Sequence, residues 1–100
     1  MILFNITVNL DPAIEHEWLH WVKTDVLPAA IQTNLPVAAN VLRLLTEIDN
    51  GGVTYTLQFR FADSDDASAY QNQYVSDFEN ALYDRYAEKY VTFQTVLEYV

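Results

Sequence analysis

The chain has 100 residues, of which 51% are hydrophobic and 14% aromatic, so it can build one packed core and is not of the disordered class. Five basic and 14 acidic residues give a net charge of −9, which repels phosphate backbones and anionic lipid surfaces and argues against nucleic acid and membranes as partners. The absence of cysteine excludes disulfides, thiolate catalysis and cysteine-ligated metal sites.

The first residues of the chain show neither the basic region nor the long apolar region of a signal peptide. No apolar run approaches the ~20 residues that a membrane-spanning helix needs. We therefore expect a single domain over residues 1–100, located in the cytoplasm.

Residues 2–10 predict the first strand, because apolar and polar side chains alternate along the segment. The polar face carries Asn5, Thr7 and Asn9. A helix follows, with Asp11 as its cap and Pro12 at its first position, and is expected to continue to about Thr33. Its apolar stripe is Ile14, Trp18, Trp21, Val22 and Val26, and Pro28 either kinks the helix or starts a second short turn.

Residues 37–48 and 53–61 predict a β-hairpin, because the segment 49–52 between them contains both glycines of the chain. A two-residue turn at Asn50-Gly51 would fix the register and with it the residues on each face. On the apolar face this register pairs Ile48 with Val53, Thr46 with Tyr55, Leu44 with Leu57 and Leu42 with Phe59. On the other face it pairs Glu47 with Thr54, Leu45 with Thr56, Arg43 with Gln58 and Val41 with Arg60.

The second helix is predicted to start at Asp63 or Ser64 and to break near Val75 or Ser76. Its apolar stripe is Ala67, Tyr70, Tyr74, Phe78, Leu82 and Tyr86, which we interpret as core. Residues 90–99 then alternate as a last strand. We expect the core side to carry Val91, Phe93, Leu97 and Tyr99, and the opposite side to carry Thr92, Gln94, Val96 and Glu98.

The element order is βαββαβ, which with right-handed crossovers predicts an α+β, ferredoxin-like sandwich. Its four-stranded antiparallel sheet has the strand order 4-1-3-2, and both helices lie on one face.

The first helix contains the sequence HExxH at His16, Glu17 and His20, which is the zinc motif of metalloproteases. At 100° per residue, however, both histidines lie opposite the apolar stripe and should face solvent. Lys23 and Val26 stand where the longer form of the motif has a glycine and a third histidine. A zinc hydrolase is therefore the least favoured function, and we expect neither a metal nor a cofactor.

The remaining catalytic patterns are also missing from the sequence. The carboxylates are scattered over helix flanks, both glycines belong to the hairpin, and no serine has a nucleophile-elbow setting. The sequence thus contains no recognisable catalytic site.

The sheet face without helices is mixed in composition, being too apolar for a solvated surface and too polar for a second core. Such a face suits a homodimer in which two sheets enclose a partly polar cavity for a small molecule. The candidate binding residues are Asn5, Thr7, Arg43, Thr56, Gln58, Arg60 and Gln94. Either arginine would hold an anionic or carbonyl group. Alternatively, Arg43 and Arg60 pair with Glu47 and Glu98, and the protein is a non-catalytic regulatory or interaction dimer.

Four segments resemble a family of small bacterial proteins, well represented in Bacteroidetes, that is known only as a domain of unknown function. They are Asn5-Ile6-Thr7-Val8-Asn9, Glu17-Trp18-Leu19-x-Trp21, Leu42-x-Leu44-Leu45 and, most specifically, Gly51-Gly52-Val53-Thr54-Tyr55-x-x-Gln58. That family is similar in turn to the dimeric α/β-barrel superfamily, which includes cofactor-independent antibiotic-biosynthesis monooxygenases. The resemblance implies the fold and a dimer, and it implies no particular reaction.

Overall fold

The computed structural model describes residues 1–46 and 50–100. Its strands are β1 (Ile2–Leu10), β2 (Ala38–Arg43), β3 (Val53–Phe61) and β4 (Tyr90–Glu98). Its α-helices are α1 (Glu15–Trp21), α2 (Leu27–Gln32), α3 (Ser64–Gln73) and α4 (Val75–Tyr86). The sheet has the order β2-β3-β1-β4 with antiparallel pairing throughout, which confirms the ferredoxin-like topology.

The first helical region begins as predicted at Asp11, whose side chain accepts a hydrogen bond of 2.9 Å from the backbone N–H of Ala13. A 3₁₀ turn (Pro12–Ile14) leads into α1, and a π-helical turn (Val22–Val26) joins α1 to α2. Pro28 occupies the second position of α2, where its missing N–H is tolerated. The backbone stays α-helical at Val26 and Leu27, so the π-helical turn joins α1 and α2 into one continuous helical segment with a single widened turn.

The second helical region also divides into two helices. The side chain of Asp63 caps α3 by accepting from the backbone N–H of Asp66 at 2.9 Å. Tyr74 has φ −122° and separates α3 from α4, next to the predicted break.

One face of the sheet carries the core, which both helical regions cover. The buried strand residues are Phe4, Ile6, Val8, Leu10, Tyr55, Leu57, Phe59 and Phe61. The helices contribute mainly Trp18, Trp21, Val22, Ala67, Tyr70, Leu82 and Tyr86. Burying one such large apolar side chain stabilises a fold by about 1.5–3 kcal/mol, so this layer supplies the driving force for folding. The interpretation of the apolar stripe of the second helical region as core is confirmed, with Tyr74 and Phe78 partly buried against that core.

The register of β4 reverses the predicted faces of that strand. Phe4, which points into the core, is paired with Val96, whereas Thr7 on the opposite face is paired with Phe93. Directly paired residues of antiparallel strands share a face. The apolar series of β4, namely Val91, Phe93 and Leu97, therefore lies on the side without helices, and the prediction that it faces the core is wrong.

The β2–β3 register is likewise shifted by three residues from the prediction. Arg43 is paired with Tyr55 rather than with Gln58, and Val41 is paired with Leu57 rather than with Arg60. A shift by an odd number exchanges the two faces of a strand. The connection is longer than a two-residue turn, since β2 ends at Arg43 and not at residue 48. The predicted pairs that involve Glu47 and Ile48 lie outside the described residues.

Candidate functional site

We call the side of the sheet opposite the helices the helix-free face. From the registers, it consists of the following side chains: Leu3, Asn5, Thr7 and Asn9 of β1; Ala38, Asn40 and Leu42 of β2; Thr54, Thr56, Gln58 and Arg60 of β3; Val91, Phe93, Thr95 and Leu97 of β4. The central strands β1 and β3 contribute mostly polar groups, and the edge strands contribute most of the apolar ones.

Four of the predicted binding residues meet in the middle of this face. Asn5 is paired with Gln58, and Thr7 with Thr56, on the neighbouring strands β1 and β3. We call these four residues the polar centre. Arg60 lies on the same face, one alternation beyond Gln58 towards the end of β3, and its side chain is exposed.

Within the polar centre, the side-chain oxygen Oδ1 of Asn5 is buried and has no hydrogen-bond partner among the described residues. A buried acceptor without a partner costs about 1–3 kcal/mol. A donor that reached Asn5 from outside the chain would recover this free energy.

Apolar side chains border the polar centre on both sides. On β4, Phe93 is 62% and Leu97 is 49% exposed, and on β2, Leu42 is 47% exposed. The sequence predicts these three side chains in the core, because the predicted assignment of residues to the two faces is reversed for both edge strands. Their apolar alternation was visible in the sequence, but nothing in it told which side of the sheet the helices would cover.

The end of the helix-free face next to the β2–β3 connection has a structural role. The Asn9 amide nitrogen donates to the Thr54 hydroxyl at 2.9 Å and to the Asn50 side-chain oxygen at 3.4 Å. That oxygen also accepts from the Gly52 N–H at 3.0 Å. A Cβ on Gly52 would clash with the side-chain amide of Asn9, so a side chain at this position would push that amide out of its hydrogen bonds. We call these contacts the Asn9 network.

Arg43 does not belong to the helix-free face, and the prediction that it does is wrong. Its guanidinium lies 3.4 Å from the Glu15 carboxylate and 6.0 Å from the centroid of the Tyr55 ring. The Tyr55 hydroxyl donates to the same carboxylate at 2.7 Å. Burial, and after it the hydrogen bond to Glu15, raises the pKa of Tyr55, so this hydroxyl keeps its proton. The three residues connect the edge strand β2 to the helical layer.

Gln94 is also on the helical side of the sheet, because it is paired with the core residue Ile6. Its side-chain amide donates a hydrogen bond to the Glu79 carboxylate on α4. The prediction that it lines the helix-free face is therefore wrong as well.

The HExxH sequence lies on the outer surface of α1, with His16 and His20 both exposed. Glu17 accepts a hydrogen bond from the Tyr86 hydroxyl at 3.4 Å, which makes it a surface contact of the core aromatics. Residues 1–46 and 50–100 contain no group of three or more metal-ligating side chains. Across the same two segments, no helix is long and apolar enough to cross a bilayer.

Solved structures with this fold match nearly the whole chain. A structure assigned as an antibiotic biosynthesis monooxygenase from Deinococcus radiodurans gives a TM-score of 0.76 at 12% identity, covering 100% of this chain and 93% of that one. A conserved protein of unknown function from Bacteroides thetaiotaomicron gives 0.72 at 9% identity, with 98% and 96% covered. A dimeric ferredoxin-like protein from an uncultured marine organism gives 0.67 at 9% identity, with 99% and 94% covered.

Identities this low establish a shared fold and no shared chemistry. No curated protein matches the chain in sequence. The resemblance predicted from the sequence is confirmed at the level of family and fold. Since the family model matches residues 1–100, the chain belongs to the family of the domain of unknown function DUF4286.

Proposed function

We propose that two copies of this chain pack with their helix-free faces together and that the polar centre between them binds a small polar molecule. The observation that carries the proposal is the layout of this face. Exposed apolar side chains on both edge strands surround a polar centre on the two middle strands. Such an arrangement combines a driving force for association with groups that can orient a ligand.

The apolar border supplies the driving force for association. Phe93, Leu97 and Leu42 are each about half exposed or more in the single chain, and covering a large apolar side chain contributes about 1.5–3 kcal/mol. Monomeric proteins rarely leave a large contiguous apolar surface in water. The marine ferredoxin-like protein with the same fold is described as dimeric, which supports the same assembly here.

The polar centre supplies the ligand-binding groups. The side chains of Asn5, Gln58, Thr7 and Thr56 offer two amides and two hydroxyls, and enclosing them between two sheets would cost free energy unless each finds a partner. Asn5 Oδ1 already lacks a hydrogen-bond partner within residues 1–46 and 50–100. A small molecule with donors and acceptors would satisfy these groups, and Arg60 would hold an anionic or carbonyl oxygen at the rim.

The alternative is a non-catalytic dimer in which the polar side chains of the two copies pair with each other. The amides of Asn5 and Gln58 favour this alternative, because each carries both donors and acceptors and can pair with its own copy across a two-fold axis. In that case the interface is filled and needs no ligand.

Dimerisation is tested by Phe93→Glu, with Val96→Glu as the matched control on the same strand. Both side chains are more than half exposed and both changes add one negative charge, but only Phe93 lies on the helix-free face. Sedimentation velocity at micromolar concentration and ~150 mM salt should find dimers for the natural chain and for Val96→Glu, and monomers for Phe93→Glu. A monomeric natural chain, or two variants that behave alike, would contradict the proposal.

Ligand binding is tested by native mass spectrometry of the purified dimer and of the Gln58→Leu variant. The proposal expects a bound small molecule in the natural dimer and its loss from Gln58→Leu, with the dimer retained. A dimer without additional mass, whose stability Gln58→Leu preserves or increases, would favour the filled interface instead.

A further inference from the structure

A groove crosses the helical layer, on the side of the sheet away from the proposed dimer interface. It lies between the first helical region and the junction of α3 with α4, and its volume is about 320 Å³. Four aromatic side chains contribute to its walls, namely Trp21, Tyr70, Tyr74 and Phe78. Ala30 and Ala81, which have small side chains, leave the space between them open.

Each wall of the groove contributes one carboxylate. Asp25 belongs to the π-helical turn between α1 and α2, and Asp77 belongs to the first turn of α4. Both are exposed, whereas Trp21 and Tyr70 are buried. Among the described residues, no Lys, Arg or His lines the groove. The groove is therefore aromatic and apolar inside and carries negative charge.

The Trp21 ring already has two partners within the chain, so it serves the groove as an apolar wall. Trp21 and Phe78 stack with centroids 5.9 Å apart, and the guanidinium carbon of Arg85 lies 4.7 Å from the Trp21 ring centroid. The indole thus already contacts one cation, from a residue that does not line the groove. Cations within about 6 Å of an aromatic face are attracted by its quadrupole. Burial raises the pKa of Tyr70 to about 12, so its hydroxyl stays protonated and adds no charge to the interior.

We infer that this groove binds an organic ammonium compound, with the ammonium between Asp25 and Asp77 and an apolar body against Trp21 and Phe78. A volume of about 320 Å³, at about 30 Å³ for each water-sized group, accommodates on the order of ten non-hydrogen atoms. The complementary charge makes this class of ligand more suitable than a neutral or anionic one. The inference does not depend on the proposed dimer, because the two sites lie on opposite sides of the sheet.

The test compares octylammonium, octan-1-ol and octanoate, which share an apolar chain and differ in the charge of the head group. Their dissociation constants would be measured by NMR titration that follows the indole N–H of Trp21. We expect octylammonium to bind about tenfold more tightly than octan-1-ol, which is the effect of two partly exposed ion contacts, and octanoate to bind most weakly.

The double variant Asp25→Asn and Asp77→Asn should bind octylammonium and octan-1-ol equally. The control is Asp65→Asn with Asp84→Asn, which removes the same charge from outside the groove and, like the first variant, changes one residue in the first turn of a helix. This control should keep the tenfold preference. Equal affinity of the natural chain for all three compounds, an unperturbed Trp21 signal, or a preference that survives in the groove variant would overturn the inference.

Discussion

The two faces of the sheet are built from the same four strands, but apolar and polar residues are distributed differently over the central and edge strands on each face. On the helix-covered face the two central strands contribute eight buried apolar or aromatic residues, and the edge strand β4 contributes polar ones such as Thr92 and Gln94. On the helix-free face the central strands are mostly polar, and β4 contributes Val91, Phe93 and Leu97. The helices therefore cover the middle of the sheet, and the apolar side of β4 is left exposed in the single chain.

The largest expected difference between the faces is in the free energy of unfolding that is lost when one phenylalanine is removed from each. Phe59→Ala removes a side chain that is 1% exposed and contacts Phe4 and Tyr70, so we expect a loss of about 3–5 kcal/mol in the free energy of unfolding. Phe93→Ala should cost less than about 1 kcal/mol in a dilute sample, because the ring is 62% exposed in the single chain.

Urea unfolding at two protein concentrations would measure both effects. The Phe59→Ala loss should be the same at both concentrations. The Phe93→Ala loss should grow at the higher concentration, where the proposed dimer contributes to stability. Equal losses for the two variants in dilute samples would mean that the faces are not as different as the structure indicates.

The same comparison explains which parts of the fold could be predicted from the sequence. The alternation of β1, the caps at Asp11 and Asp63 and the helical stripes follow from local rules, and the structure agrees with them. The edge strands could not be assigned to a face, because residues 41–45 are almost continuously apolar and a shift of register costs such a segment little. Periodicity marks the apolar side of a strand, but it does not tell what covers that side.

Five of the seven predicted site residues could be placed on the helix-free face from the sequence, because the alternation of apolar and polar residues along β1 and β3 is unambiguous. Arg43 and Gln94 could not, since their positions depended on the edge strands. An arginine on the helix-covered face contradicts the usual preference for polar residues outside. It is tolerated here because Glu15 accepts its charge at the edge of the sheet, where the arginine side chain is 57% exposed.

An intermediate effect is expected at Gly52, where the helix-free face meets the β2–β3 connection. In Gly52→Ala the new methyl group would displace the Asn9 side chain and with it the hydrogen bond to Thr54, so we expect a loss of about 1–3 kcal/mol. In Gly51→Ala the new methyl group meets no atom of the described residues within 4 Å, so we expect only the strain of φ +77°, or about 1 kcal/mol.

A double-mutant cycle with Asn9→Ala distinguishes the steric clash of Gly52→Ala with the Asn9 side chain from the backbone strain of Gly51→Ala. Because the clash is with the Asn9 side chain, Gly52→Ala should cost much less in the Asn9→Ala background, whereas the cost of Gly51→Ala should not change. Purely additive losses for Gly52 and Asn9 would contradict the Asn9 network. Gly52 and Thr54, which lie in the segment with the most specific family resemblance, both belong to this network, so that segment has a structural role next to the β2–β3 connection.

The smallest expected effect on stability distinguishes Arg43 from Arg60, the two arginines that the sequence predicts on the same face of the sheet. Arg43→Gln removes a partly exposed ion pair with Glu15, so the free energy of unfolding should fall by less than about 1 kcal/mol, and the loss should shrink in high salt. Arg60 forms no ion pair within the described residues, so Arg60→Gln should leave the unfolding of the single chain unchanged and alter only what happens at the helix-free face. If instead Arg43→Gln disturbed the dimer or its ligand while Arg60→Gln did not, the β2 register with Arg43 facing the helices could not hold in the assembled protein. Two changes that each remove one positive charge therefore report on which face each arginine occupies.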